Sequence, residues 1–250
     1  MNIELHRFAP VVASALLLSG SAMASTRPHA DKFAARLERA FFSDPRLSGT
    51  YDAFKTGFPK DWKLFIQKLS NLADNGATQN KLSAAAAEYF QKFISYHLSD
   101  IANSPSHRLQ QYRQDNWSLI HLLSSTGISL CAKVAMGDVD AETSLPKPAV
   151  GYLMKISESL VRAASEGKLS PVPRNAKDLT NEDAKAFIRA MRHAGATVKD
   201  LSVFGDSQTF AAAPSDQKCR IGLAIQDGLA ELPLEQADRV TAFIIVITRS

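Results

Sequence analysis

Two histidines, each close in sequence to a carboxylate, are the residues of this chain best suited to acid–base chemistry. His97 and His121 lie in neighbouring segments that we expect to form an antiparallel helical hairpin, with Glu88 and Asp115 close to them in sequence. A histidine within reach of a carboxylate can act as a general base in hydrolysis. A buried histidine satisfied by one hydrogen bond would show the same pattern. A hydrolase with a site near His97 and His121 is therefore one hypothesis among three for this protein.

The spacing of the remaining candidate ligands does not indicate a metal or cofactor site. The sequence contains neither His-x-x-x-His on one expected helix nor His-Glu-x-x-His, the patterns that place two imidazoles on one zinc ion. Two cysteines are too few for a four-thiolate zinc site. No glycine-rich phosphate loop or dinucleotide fingerprint is present. We predict no metal and no cofactor.

Val203–Ser207 reads Val-Phe-Gly-Asp-Ser and resembles the first block of the GDSL (SGNH) hydrolases. The resemblance covers these five residues and implies that Ser207 is a nucleophile after a first strand, served by an Asp and a His near the C-terminus. Here Gln208 stands where that family has Leu, and the last histidine, His193, precedes the block. We expect a turn between helices instead, because Gly, Asp and Ser all favour turns, and we predict no catalytic residue.

Cys131 and Cys219 are the two cysteines of the chain. If the protein is exported, an oxidising compartment would keep such a pair bridged. Two free buried thiols are the alternative, because cysteine packs well as a small apolar residue. We predict a disulfide between Cys131 and Cys219.

Aromatic side chains are concentrated between residues 59 and 101 and could line a ligand cavity between helices. A second hypothesis is therefore a protein that binds a small apolar or amphipathic ligand, although ordinary core packing would explain the same residues. The candidate ligand-binding residues are Trp62, Tyr89, Phe93, His97 and His121.

Positive charge is concentrated between residues 147 and 199. Lys185, Arg189 and Arg192 follow one another at steps of four and three residues, which places them on one face of an expected helix. This face could contact an anionic partner. A solvated outer face opposite an apolar stripe is the alternative.

Hydrophobic periodicity along the chain is helical, with apolar residues at steps of three and four. The segments over which we expect helices are 33–41, 61–73, 82–101, 106–123, 125–136, 150–164, 181–193, a segment from Ser215, and 233–247. A strand is the alternative for the last segment, which is rich in β-branched residues. The sequence predicts one all-α domain over residues 25–250, an irregular bundle of about eight helices. The proline-containing loop near 140–148 is a candidate boundary between two packed lobes.

Residues 1–24 have the pattern of a secretory signal peptide. An apolar run over Phe8–Ser19 is followed by the small residues Ala22 and Ala24, which favours cleavage after Ala24. The run is too short to span a bilayer, which takes about 20 residues. We expect an exported protein, periplasmic or secreted, with no transmembrane segment after cleavage.

The net charge of +4 in 250 residues is too small to indicate nucleic-acid binding. The leading hypothesis is an exported soluble helical protein without catalytic activity. It would act by binding a partner, either another protein or an anionic component of the cell envelope.

Overall fold

The chain folds into α-helices joined by turns and short loops. The computed structural model describes residues 30–137 and 144–247, and this part of the chain contains thirteen helices and no β-strand. The helices are α1 Ala30–Ser43, α2 Ser48–Gly57, α3 Pro59–Asp74, α4 Gln79–Tyr96, α5 Leu98–Ala102, α6 Ser106–Thr126, α7 Ile128–Met136, α8 Lys147–Leu169, α9 Asn181–His193, α10 Val198–Phe204, α11 Ser207–Ala212, α12 Ser215–Glu231 and α13 Leu234–Ile247.

The predicted all-α class is confirmed, but the predicted number of about eight helices is too low. The segment expected as one helix over 82–101 is divided at His97, which ends α4 and precedes α5. The short helices α2, α10 and α11 were not predicted. In α2, Gly49 and Thr50 weaken the helical propensity, and packing of its buried Tyr51 and Phe54 against the core compensates for this.

The final segment is helical as far as Ile247, so the strand alternative for residues 233–247 is wrong. Val240, Ala242 and Ile245 are buried on this helix. Burial of an apolar face overrides the modest helix propensity of its β-branched residues.

Buried side chains form two hydrophobic clusters. The first is built mainly from α1–α8 and contains a group of packed aromatic rings, among them Phe41, Tyr51 and Phe65. The second joins α9–α13 around Met191, Ile221 and Val240. Helix α12 contributes Cys219 to the first cluster and Ile221 to the second, so it lies where the two clusters meet.

Two close contacts hold α12 against α7. The predicted pairing is confirmed, because Cys131 of α7 and Cys219 of α12 lie at disulfide distance with their Cα atoms 5.2 Å apart. One turn further along α12, a Cβ atom on Gly222 would lie only 2.6 Å from Cβ of Ala135. The absence of a side chain at Gly222 therefore lets α7 and α12 approach closely enough for the cysteines to meet.

The expected hairpin between the segments 82–101 and 106–123 does not form. Helix α4 packs against α3, whereas α6 packs against α7, α8 and α12. The short α5 and the turn at Pro105 redirect the chain between the two segments. The apolar periodicity identified the buried face of each helix, but it did not identify the helix that packs against that face.

Two predictions fall on residues that the structure does not describe. The signal peptide over residues 1–24 lies outside the described ranges, as do residues 138–143 of the candidate lobe boundary. Among the helices that are described, none is long and apolar enough to cross a bilayer.

Reduction of the Cys131–Cys219 bridge should destabilise the protein substantially. The bridge closes a loop with a sequence separation of 88, and the chain-entropy model gives a loss of about 4–5 kcal/mol for a loop of that size. Urea unfolding followed by circular dichroism, with and without a reductant, measures the difference in the free energy of unfolding. The double variant C131A/C219A is the matched control, because the reductant should not affect it. An unchanged unfolding midpoint on reduction would show that the bridge contributes little.

Gly222→Ala should destabilise the protein, by about 1–3 kcal/mol for overpacking, although alanine has the higher helix propensity. Gly151→Ala on α8 is the matched substitution, because a Cβ atom there meets nothing within 4 Å. It should stabilise by about 0.5–1 kcal/mol. Thermal unfolding of both variants tests the close α7–α12 contact, and equal shifts of Tm in the two would refute it.

Candidate functional site

Three of the candidate ligand-binding residues, Trp62, Tyr89 and Phe93, belong to the aromatic core. Trp62 is only 5% exposed, and its indole N–H donates a hydrogen bond to Oε1 of Glu38 at 2.9 Å. The Tyr89 hydroxyl donates to the carbonyl oxygen of Asp61 at 3.0 Å. These polar groups are satisfied within the protein, and the rings pack against other rings of the first cluster.

His97 is buried in the same core. Its Nδ1 lies 2.7 Å from Oδ2 of Asp100. Its ring centroid lies 4.6 Å from that of Phe58 and 4.7 Å from that of Phe93. The Asp100 carboxylate is thus the hydrogen-bond partner of the His97 ring at the point where α4 ends and α5 begins. This arrangement indicates a structural role for His97.

His121 lies on α6, in a cluster with two other side chains. Its Nε2 is 2.8 Å from Oδ1 of Asp227 on α12, and the same oxygen accepts a hydrogen bond from Nε1 of Trp117 at 2.6 Å. The rings of Trp117 and His121 lie side by side with centroids 4.2 Å apart. His97 and His121 thus have separate carboxylate partners, and neither partner is Glu88 or Asp115.

The Trp117 ring borders an open groove between α6 and the α12–α13 corner, with a volume of about 450 Å³. We refer to it as the α6–α12 groove. Its lining residues are Gln110, Arg113, Gln114, Trp117, Gln226, Leu229, Ala230, Leu232, Leu234 and Ala237. The α6 wall is made of amides, a guanidinium and an indole, whereas the opposite wall is almost entirely aliphatic. A groove with these two walls can accommodate a molecule that is polar on one side and apolar on the other.

The α6 wall is a regular helical stripe that our sequence analysis did not single out. Gln110, Gln114, Trp117 and His121 follow at steps of four, three and four residues, and Arg113 directly precedes Gln114. These residues therefore share one side of the helix. The stripe is polar, and only the apolar face of the same helix was used to predict its packing. The sequence feature that could have indicated this wall was the presence of an arginine, a tryptophan and a histidine on one otherwise polar face.

Arg113 of α6 and Arg174 of the loop after α8 converge on one buried carboxylate, Asp238 of α13. Nη1 of Arg113 donates to Oδ1 of Asp238 at 2.7 Å and to Oγ1 of Thr241 at 3.2 Å. Nη2 of Arg174 donates to Oδ2 of Asp238 at 3.3 Å. The side chains of Arg113, Arg174 and Asp238 are 11%, 7% and 3% exposed. Two cations thus share one anion in a place largely shielded from water.

Two other buried aspartates in the described part of the chain pair with arginines that are partly exposed. Asp183 accepts two hydrogen bonds from Arg239, and Asp200 accepts two from Arg220. In each pair the guanidinium holds the pKa of the carboxyl below its usual range. Arg239 pairs with Asp183, and Arg220 pairs with Asp200 and, at 3.7 Å, with Asp216. The network around Asp238 differs because it has two cations for one anion.

The basic residues Lys185, Arg189 and Arg192 are all exposed on α9. Within the described ranges, none of the three forms a salt bridge. The face they form is open to solvent, and its contact with an anionic partner stays a prediction.

The Val-Phe-Gly-Asp-Ser string forms a junction between two helices, as expected. Val203 and Phe204 end α10, Gly205 follows, and the carboxylate of Asp206 caps α11 by accepting a hydrogen bond from the backbone N–H of Thr209 at 2.7 Å. The first two residues of the block thus belong to a helix, where the resemblance to GDSL hydrolases implies a strand.

Over residues 30–137 and 144–247, no three His, Cys, Asp or Glu side chains come together as a possible metal site. Comparisons with protein-family models, with curated proteins and with solved structures found no match to this chain. The assignment of a function therefore depends on the geometry of the molecule itself.

Asp115 is a buried carboxyl that accepts hydrogen bonds from Ser159 at 2.6 Å and from Gln111 at 3.1 Å. Burial raises the pKa of Asp115 above its usual 3.8. A raised pKa means that the protonated form is favoured in the folded state, so the stability this group contributes is present below pH 3.8 and is lost as the pH rises through the higher, folded-state pKa. Asp115→Asn should therefore gain stability relative to the wild type as the pH rises from 3 to 7.

Urea unfolding of wild type and Asp115→Asn across this pH range checks the sign of the effect. Asp183→Asn is the matched comparison, because the pKa of Asp183 is lowered by Arg239. That variant should lose stability relative to the wild type over the same rise in pH. If the two variants show the same pH dependence, burial does not govern the titration of Asp115.

Proposed function

We propose that this protein is an exported, non-catalytic binding protein that holds a small amphipathic ligand in the α6–α12 groove. The observation that carries the proposal is the pair of opposed walls, one polar and one aliphatic. A volume of about 450 Å³ lies within the range typical of small-molecule sites, roughly 300–1,000 Å³.

Trp117 supports the proposal because it is a large aromatic surface at the edge of the groove. It is 41% exposed, and its indole N–H is already engaged by Asp227. The polar edge of the ring is therefore satisfied by the protein, and the part of the ring that the His121 ring does not cover is left for an apolar part of a ligand. Leu234 is 50% exposed on the opposite wall and extends the apolar surface.

Binding is favoured over hydrolysis by the surroundings of His121. Asp227 orients the imidazole, an arrangement that nucleophilic catalysis would need. In the described part of the chain, however, the nearby hydroxyl of Ser124 donates to the carbonyl oxygen of His121 and not to its ring. The His121–Asp227 pair thus fixes the edge of the groove, and Ser124 is not positioned as the nucleophile that the hydrolase hypothesis would need.

Export is supported by two features. The sequence of residues 1–24 has the pattern of a signal peptide, which would direct the chain to an oxidising compartment, and the paired Cys131 and Cys219 suit such a compartment. Mass spectrometry of the protein from the exported fraction would give the mature N-terminus and any ligand that stays bound under native conditions.

Octan-1-ol, a small neutral amphiphile, should bind saturably in the groove and change the fluorescence of Trp117. Trp117→Phe should abolish the change, whereas Trp62→Phe should keep it, because Trp62 lies in the core. Ala230→Phe, which places a ring in the groove, should weaken binding at least about tenfold, the equivalent of about 1.4 kcal/mol.

Ala84→Phe is the control for Ala230→Phe, because Ala84 is also an exposed helical alanine but lies on α4, outside the groove. It should leave the affinity for octan-1-ol unchanged. Equal affinities of the two phenylalanine variants, or no saturable binding by the wild type, would contradict the proposal.

A further inference from the structure

The charges around Asp238 indicate the charge of the ligand, which the shape of the groove does not. Arg113 and Arg174 share this one carboxylate. A largely buried cation is costly unless an anion or an equivalent set of acceptors compensates it. Backbone carbonyl oxygens of Ala102 and Ser104 accept hydrogen bonds from Arg174, which leaves Arg113 as the cation with fewer acceptors.

Arg113 is also the charged residue that lines the groove. Both of its hydrogen bonds to the protein are made by Nη1. Within the described ranges, Nε and Nη2 of Arg113 donate no hydrogen bond, so part of the guanidinium fork has unused hydrogen-bonding capacity beside the groove that Arg113 lines. A guanidinium fork matches the two oxygens of a planar carboxylate with parallel hydrogen bonds.

The residues beside Arg113 suit the same group. Gln110 and Gln114 lie one turn before and one residue after it on the same wall, and their amide N–H groups can donate to a bound oxygen. Two acidic groups near Arg113 and along the α6 wall are already paired: Asp238 with the two arginines, and Asp227 with Trp117 and His121 at the far end of the wall. The positive end of the groove is therefore the Arg113 end.

We infer that the ligand of the α6–α12 groove is a small amphipathic carboxylate, whose carboxylate accepts hydrogen bonds from Arg113 and whose apolar part lies against Leu229, Leu232 and Leu234. This inference rests on the proposed function, since it names the class of ligand for the same groove. Charge complementarity distinguishes it from a neutral or cationic amphiphile.

Octanoate and octan-1-ol carry the same alkyl chain and differ in the end group, so they separate the charge from the apolar contact. The full chain, in the form in which it is exported, should bind octanoate about ten- to a hundredfold more tightly than octan-1-ol, the range that one charge-assisted hydrogen-bonded contact provides. Octylammonium should bind more weakly than either. Isothermal titration calorimetry measures all three affinities.

Arg113→Gln should remove the preference, with the affinity for octanoate falling to that for octan-1-ol while the affinity for octan-1-ol stays the same. Arg108→Gln is the matched control on the same helix, because Arg108 pairs with Glu166 away from the groove. It should keep the preference. If Arg113→Gln does not fold, the effect of salt on ligand binding by the wild type serves as the test instead. Sodium chloride should weaken octanoate binding and leave octan-1-ol binding unchanged or stronger.

The outcomes are distinguishable. Equal or tighter binding of octan-1-ol or octylammonium by the wild type would overturn the inference and leave the proposed function standing. Equal loss of octanoate and octan-1-ol in a folded Arg113→Gln variant would assign Arg113 a purely structural role and would also overturn it. If none of the three compounds binds, the proposed function fails together with the inference.

Discussion

The close approach of α7 and α12 is the constraint on which the rest of the structure depends. Gly222 allows the two helices to come together at Ala135, and the Cys131–Cys219 bridge joins them one turn away. Helix α12 is then in position to contribute to both hydrophobic clusters and to form one wall of the groove. A shift of α12 would therefore change the core and the candidate site together.

Buried carboxylates join several helices of the second half of the chain to one another and to α6. Asp183 joins α9 to α13, Asp200 joins α10 to α12, and Asp238 joins α13 to α6. Removing the arginine of such a pair is destabilising, because the carboxylate then stays buried without its partner. Each pair thus favours one particular contact between helices over others that would bury similar apolar area. The pair that carries an additional arginine is the one that borders the groove.

Helical periodicity was sufficient to predict the class of the fold and most of the long helices, whereas the cysteine pair was predicted from the oxidising compartment that export would imply. The apolar stripes of α3, α6 and α9 are strong local signals, and Thr180 caps α9 as its position suggests. The partner of each helix was not predictable, because an amphipathic stripe specifies that a face is buried and not what covers it. The candidate site depends on such partners: Trp117 and His121 meet Asp227 across more than 100 residues of chain, and Arg113 meets Asp238 across 125. Residues singled out for their chemistry, such as Trp62 and His97, are core residues whose polar atoms are satisfied locally.

The hydrogen bond from Trp117 to Asp227 has a consequence for the rate at which a ligand would leave. Asp227 and the neighbouring His121 ring hold the indole in one orientation, so little side-chain entropy remains to be lost when a molecule packs against it. A surface ordered in advance loses less free energy on association. Differences in affinity among related molecules should then arise mainly from their residence times and only weakly from how fast they arrive.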